Sequence, residues 1–397
     1  MENTTVKTVA KISLFFVLHL LLYHFYVALR INTLPWEGDS IDYHIPIAKL
    51  ILNGQFFAPS AQIPQQYYPG ASELILAVFM FLHIPLNLYN VLAWIVLFFV
   101  CVKLARVFNL DYYFAILFAT TVVTLNTIVR WLLAQTIDIW LVNFFILSLV
   151  LLERPKKSIV YFVWLGIFLG MLLGSKYTGI GFFIVLIAFY SNKLLRFLDL
   201  KRFAGFLVPF SIFGIFWYAR NYMLLGNPLY PLNFLFFQGE KLFTDNIWSV
   251  TLAHPIQMVN AFIAEYKIWS VSVVFAPFAL FYLVRSKIAN IDVIKKVFLL
   301  GIINFIFYPF FPTSNQEWIM VSSLRYSYPA FIPLILGFFL LAERFKKKEF
   351  LSLIAAGNMI LLHPLTYYPK LVFLYIPFAF FLFRIIENKR VKKLLKL

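Results

Sequence analysis

The sequence predicts an all-α polytopic membrane protein, folded as one domain over residues 1–397. Three observations carry this. Hydrophobic residues make up 62% of the chain and charged residues 13%, about half the charged share of an ordinary soluble domain. The apolar residues fall in long blocks, and only helices or closed barrels satisfy their own backbone inside lipid. Blocks of this length do not fit barrel strands of about ten alternating residues. Finally, the 34 lysines and arginines gather at block ends, where membrane topology places them. The net charge of +17 therefore follows from topology and argues against a nucleic-acid partner.

A span needs about 20 apolar residues. The candidates, in order, are 9–29, 87–107, 112–129, 137–153, 159–175, 178–194, 203–221, 269–285, 294–312, 327–343, 350–362 and 370–386, about twelve in all. The first follows Lys7 and Lys11 and lacks a small-residue cleavage site, so it reads as a retained helix and not as a signal peptide. The run Ala71–His83 has only 13 residues and reads as a re-entrant or interfacial helix. With that run not crossing, alternate joints carry 25 of the 34 basic residues. Those joints then face the cytoplasm, and so do both termini. The expected location is the cytoplasmic membrane. The single cysteine, Cys101, lies in an apolar run and makes no internal disulfide.

The acids fall on the other side. Glu37, Asp39, Asp42, Glu73, Asp138, Glu240, Asp245, Glu265 and Glu317 are all assigned outward. Two long outer excursions, 30–86 and 222–268, contrast with short basic inner joints. Any chemistry is therefore expected on the outer face. No clear internal repeat is visible, which weighs against a transporter built from repeats.

Ionisable residues near helix ends in lipid are functional candidates with a partner to be named. Asp39 and Asp42 sit three apart in "WEGDSIDYHIPIAKL". If residues 40–53 form a helix, Asp39 is its N-cap and Asp42 meets its dipole. Capping accounts for one acid more readily than for two. Asp138 lies at an outer helix end, with Arg130 at the end before it. The two form an ion pair, or else Asp138 faces Asp39 across a cavity, where two carboxylates share a metal or divide acid and base roles. Lys176, in "GSKYTGIG", either snorkels or neutralises a lipid phosphate. Arg220 and Arg325 lie at outer ends, against the positive-inside trend. Each suits a phosphate held bidentately, or pairs with Glu265 or Glu317. "QQYYPG" and "GNPLYP" are turn chemistry ahead of helix starts. Their Tyr67, Tyr68 and Tyr230 serve an interfacial belt or stack on a sugar. Tyr43 and His44 stand beside the acids, whereas His19 and His24 lie on an apolar helix and read as structural. The chain has no HExxH, P-loop or GxSxG motif, which removes the usual zinc protease, nucleotide hydrolase and serine hydrolase readings.

"GDSIDYHIPIAKLILNGQF" resembles the first outer loop of the GT-C superfamily of membrane glycosyltransferases. The nearest branch is the family 39-like group, related to protein O-mannosyltransferases and the lipid A aminoarabinose transferase. The matching elements follow in family order. They are Asp39, Tyr43-His44-Ile45-Pro46, Gly54, Tyr68-Pro69-Gly70, Asp138, Gly174 to Tyr177, Arg220 to Pro231, and "LRYSYPAFIP" around Arg325. The resemblance implies a GT-C-like fold with juxtamembrane helices in the first outer loop. It also implies an inverting sugar transfer from a polyprenyl-phosphate donor to an acceptor hydroxyl, without a nucleotide-sugar site. Asp39 would be the general base, and Lys176, Arg220 and Arg325 would hold the donor phosphate. Asp138 would orient the site or join Asp39 around Mg or Mn. The family's usual Asp-Glu pair is Asp39-Ser40 here, so Asp42 stands beside Asp39 as a second candidate base. Three other readings are a flippase for a polyprenyl-linked glycan, a polymerase or ligase using a lipid-diphosphate donor, and an inactive partner subunit.

Overall fold

The computed structural model describes residues 4–30, 37–59, 63–154, 156–196, 199–233, 236–240, 245–286, 291–313 and 317–361. The candidate span 370–386 lies outside the described residues. The fold is all-α and membrane-embedded. Each of the other candidate spans overlaps one or more helices. Among the described residues, seven helical runs are long and apolar enough to cross a membrane.

The long first helix is α1 (Thr4–Arg30). A π-helical turn, Ser40–His44, leads into α2 (Ile45–Leu52), which ends at Gly54 with φ of 68°, a conformation that suits glycine. The short run is α3 (Glu73–Phe81), nine residues. Its length of about 14 Å is under half the hydrocarbon thickness, too short for this helix to span by itself. Next come α4 (Tyr89–Val107) and α5 (Tyr112–Val123). The expected span 112–129 is broken after Val123: α6 (Asn126–Val129) is a separate single turn. The threonines explain the break. Thr120 and Thr121 donate to the Leu117 carbonyl, and Thr124 donates to that of Thr120, a pattern that bends and weakens a helix end.

The chain continues through α7 (Asp138–Glu153), α8 (Ile159–Ser175) and α9 (Thr178–Leu195). Then α10 (Leu200–Phe210), a second π turn (Ser211–Ile215) and α11 (Phe216–Leu225) form one long run. The excursion after it contains α12 (Ile247–Ala253) and α13 (Pro255–Tyr266), and α13 continues into α14 (Ser272–Arg285) through a 3-10 turn. The last described helices are α15 (Asp292–Phe307), α16 (Glu317–Ser323), α17 (Tyr328–Arg344) and α18 (Lys348–Ile360). Two short strands, β1 (Asp245–Asn246) and β2 (Pro312–Thr313), pair antiparallel.

Helices α5 and α17 are buried along nearly their whole length and form the centre. Around them α4 packs on α5 and α7, α7 on α8, α15 on α17, and α18 on α1 and α5. Helix α8 packs tightly on α10 and the π turn that follows it. Gly166, Gly170 and Gly174 stand four apart on α8, and a Cβ on Gly166 would lie 2.2 Å from the Phe206 carbonyl oxygen. Without a hydrophobic drive between helices in lipid, small residues at this spacing let backbones approach and gain dispersion contact. The outer faces of α10, the π turn after it and α14 expose Phe203, Val208, Ile212, Val274, Phe275 and Phe278, which is what lipid-facing helices require.

Charge divides along the bundle. Asp138 and Glu153 stand at opposite ends of α7. At the Glu153 end, this carboxylate binds Lys193 and Lys296, and Lys348 binds Asp111 and Glu343. The Asp138 end carries the candidate residues.

Candidate functional site at one end of the helix bundle

A cavity of about 380 Å³ opens at the Asp138 end, within the range of small-ligand sites. Its acidic wall comes from the π turn and the residues before it: Glu37, Gly38, Asp39, Asp42 and Tyr43. Lys176, Tyr177 and Thr178 come from the junction of α8 and α9, and Ile319, Ser322, Arg325 and Tyr326 from α16 and the turn before α17. Leu232, Phe310, Phe311 and Pro312 add an apolar side. The β1–β2 pairing holds the 310–313 segment against the second excursion.

The centre is an ion network around Arg325. Its Nε lies 3.0 Å from Asp138 Oδ2, its Nη2 bonds Asp39 Oδ2, and its Nη1 lies 3.7 Å from Glu37 Oε1. Lys176 Nζ donates to Asp138 Oδ1 at 3.0 Å and sits 4.1 Å above the Tyr326 ring. Arg325 also stacks over Trp131 at 4.8 Å. The Arg325 and Asp138 side chains are only 3% and 4% exposed, against 33% for Asp39. Asp138 is thus the buried anchor of two cations, and Asp39 is the partner within reach of the cavity.

The expectation of an Asp138–Arg130 pair is corrected: Arg130 bonds Glu265 instead, and the interior cations claim Asp138. The capping reading of Asp39 is also corrected. Asp39 is already helical and makes no cap bond. Glu37 takes that role, accepting from Ser40 N at 2.8 Å and Ser40 Oγ at 2.9 Å. Asp42 is exposed to the cavity and makes no ion pair with a described residue. A metal shared by Asp39 and Asp138 does not fit this arrangement, because the Arg325 guanidinium bridges those two carboxylates and fills the position a shared cation needs. Among the described residues no cluster of three acidic, histidine or cysteine ligands forms either.

Burial works to raise the Asp39 carboxyl's pKa. Arg325 and Lys176 outweigh it and hold the group below its usual value. For Lys176, burial works to lower the pKa, and Asp138 outweighs it, so the ammonium stays charged. Burial drives the Tyr43 and Tyr68 phenols well above the ordinary tyrosine value, leaving neutral hydroxyl donors. The rings of Tyr43, Tyr68 and Tyr177 follow one another edge to face, 5.4 and 5.6 Å apart.

Five expected site residues lie off the cavity wall: Asp138, which stands behind it, and His44, Arg220, Tyr67 and Tyr230. His44 is fully buried, with Nδ1 2.7 Å from Glu73 Oε1, so it ties the π turn to α3. Arg220 was expected at a phosphate. It is buried, donates to the Tyr67 carbonyl at 2.8 Å, and stacks on Trp217 at 5.0 Å. Its neighbour Asn221 donates to the Tyr67 carbonyl at 2.8 Å and to the Tyr230 carbonyl at 3.3 Å. The Tyr67 and Tyr230 rings meet edge to face at 5.1 Å, and the Tyr230 hydroxyl donates to Glu240. Burial and Glu240 push the Tyr230 phenol up to about 12. These residues join the two excursions to each other, because desolvated backbone carbonyls need donors that no strand supplies there.

The structure therefore brings together Asp39, Asp42, Tyr43, Tyr68, Lys176 and Arg325 at the cavity, with Asp138 behind them. Glu37, Tyr177 and Tyr326 belong with them but were not singled out as site residues. Tyr177 and Tyr326 each directly follow a chosen cation in the chain, which was the signal. No protein-family model, curated protein or solved structure matches this chain.

Proposed function

We propose that the chain is a membrane glycosyltransferase that moves a sugar from a polyprenyl-phosphate donor to an acceptor hydroxyl. The supporting observation is the cavity that gathers Asp39 and Asp42 with Lys176 and Arg325, among neutral tyrosines and an apolar side. The order of sequence elements resembling GT-C enzymes supports the same reading, and the spread of basic residues supports a cavity outside the cytoplasm with both termini within. The cytoplasmic membrane and about twelve spans belong to this proposal.

The acceptor oxygen attacks the anomeric carbon while its proton passes to the Asp39 carboxylate. The new C–O bond forms as the bond from the anomeric carbon to phosphate breaks, with inversion. The electron pair leaves on the phosphate oxygen, which gains one negative charge as polyprenyl phosphate departs. Arg325 and Lys176 stabilise that charge in a poorly solvated place, where fixed cations act strongly. General-base assistance contributes roughly 10²–10⁴-fold. Tyr43 and Tyr68 offer hydroxyl donors to the sugar. Asp138 holds both cations in register and forms no part of the cavity wall. No step needs a divalent ion.

A flippase would use the same cations, but it gives no role to Asp42, a carboxylate on the same wall that makes no ion pair with a described residue. The test is transfer from a panel of labelled polyprenyl-phosphate sugars to membrane extract by the purified chain in vesicles, with and without chelator. Chelator-resistant transfer supports the proposal. Movement of labelled lipid between leaflets with no transferred sugar establishes the flippase.

A further inference from the structure

The inference rests on the donor reading above and concerns how the base becomes available. We propose that Asp39 and the donor phosphate compete for the same edge of Arg325, so that donor binding frees Asp39 to act as the base.

Among the described residues, the three carboxylates that face Arg325 are not equivalent. Asp138 is buried and held from its other side by Lys176 at 3.0 Å, so exchange there would strand a charge away from water. Glu37 stands 3.7 Å away and spends its other oxygen on Ser40. Asp39 alone combines a direct bond to the guanidinium with substantial exposure, 33%, on the cavity side. A guanidinium edge accepts a carboxylate or a phosphate in the same planar geometry. A phosphodiester carries one negative charge, as the carboxylate does, so the exchange conserves charge at Arg325.

The exchange also resolves a conflict within the site. A carboxylate bound to a guanidinium is a weak proton acceptor, because the cation stabilises the charged form. Released from Arg325 and set beside a phosphate, the same group gains basicity. The base is then active only when the donor is in place. Binding is ordered, donor before acceptor activation, and water is not activated in the donor's absence. Asp39 is suited to move because it lies at the start of a five-residue π turn, an element often found at functional sites.

The test titrates the purified full chain in nanodiscs with a short-chain polyprenyl monophosphate, the leaving half of the donor. Binding is followed by tryptophan fluorescence or calorimetry. If Asp39 holds Arg325 about nine-tenths of the time, removing it tightens binding by about tenfold. Asp39→Asn and Asp39→Ser are both measured, so that one poorly folded variant does not decide the result. Asp42→Asn removes a carboxylate from the same wall that is not bound to Arg325, and reports the change in field alone. The expected result is a clear gain for both Asp39 variants and less than about a threefold gain for Asp42→Asn. Wild-type binding with no gain in the Asp39 variants, or an equal gain in Asp42→Asn, overturns the exchange and leaves the donor reading standing. No binding by any of the four proteins overturns both.

Discussion

Arg325 stands between Asp39 and Asp138, with Nε 3.0 Å from Asp138 Oδ2 and Nη2 bonded to Asp39. Residues 286 positions apart in the chain thus meet at one guanidinium. The planar fork reaches two carboxylates at once, and an ammonium does not. Arg325→Lys keeps the charge and loses the fork. Turnover is expected to fall by about 10²–10³-fold, with the folded fraction largely retained. Steady-state transfer beside a thermal melt checks both parts.

Removing the charge is a different experiment. Arg325→Leu leaves Asp138, 4% exposed, short of one of its two cations. Breaking a buried pair from one side costs about 3–5 kcal/mol. A large drop in thermal midpoint is expected. The double variant Arg325→Leu/Asp39→Asn should recover little, because Asp138 is the stranded partner.

Arg220 is a structural residue on this account. Arg220→Ala removes the donor to the Tyr67 carbonyl and the stack on Trp217, costing about 1–3 kcal/mol of stability. The KM for donor in the folded fraction should change less than threefold or so. A selective rise in donor KM without loss of stability would return Arg220 to the phosphate site.

Asp39 carries a pH signature in stability. Its pKa is depressed in the folded state, so its contribution is present above the unfolded value of about 3.9 and is lost as pH falls through the lower folded value. The melting difference between wild type and Asp39→Asn should therefore be constant from neutral pH down to about 5 and shrink below about 4. Melts in a buffer series of constant ionic strength read this directly.

Gly174→Ala tests the helix contact that positions Lys176. The new Cβ would lie 1.9 Å from the Phe213 carbonyl oxygen, which forces α8 away from the π turn at 211–215. Overpacking of this kind costs about 1–3 kcal/mol. A loss of donor affinity along with stability is expected, since Lys176 lies two residues on.

Helix positions were legible in the sequence because lipid imposes length and apolarity directly. The shortness of the helix within 71–83 was legible for the same reason. The break after Val123 was not, because threonine hydroxyls bonding back to carbonyls leave no trace in hydropathy. At the site, Asp39, Lys176 and Arg325 stood out as charges where charge is costly. Arg220 stood out equally and serves the backbone instead. A buried guanidinium satisfies carbonyls as readily as phosphates, and only three-dimensional neighbours tell the two apart. The pairing of Glu265 with Arg130, and of His44 with Glu73, likewise joins residues whose spacing gives no hint of contact. The glycines at 166, 170 and 174 did carry a readable spacing of four, the small-residue signature of close helix packing.

The most direct test of the central claim is a single-turnover measurement in vesicles. Saturating polyprenyl-phosphate sugar is mixed with wild type or Asp39→Asn, and release of polyprenyl phosphate is timed in the presence of acceptor extract. Wild type is expected to release polyprenyl phosphate as glycosylated acceptor appears, and Asp39→Asn to lose about 10²-fold or more of that rate with the donor still bound. Equal rates in the two proteins would contradict Asp39 as the base. Bound donor that is never cleaved by wild type would contradict the transferase itself.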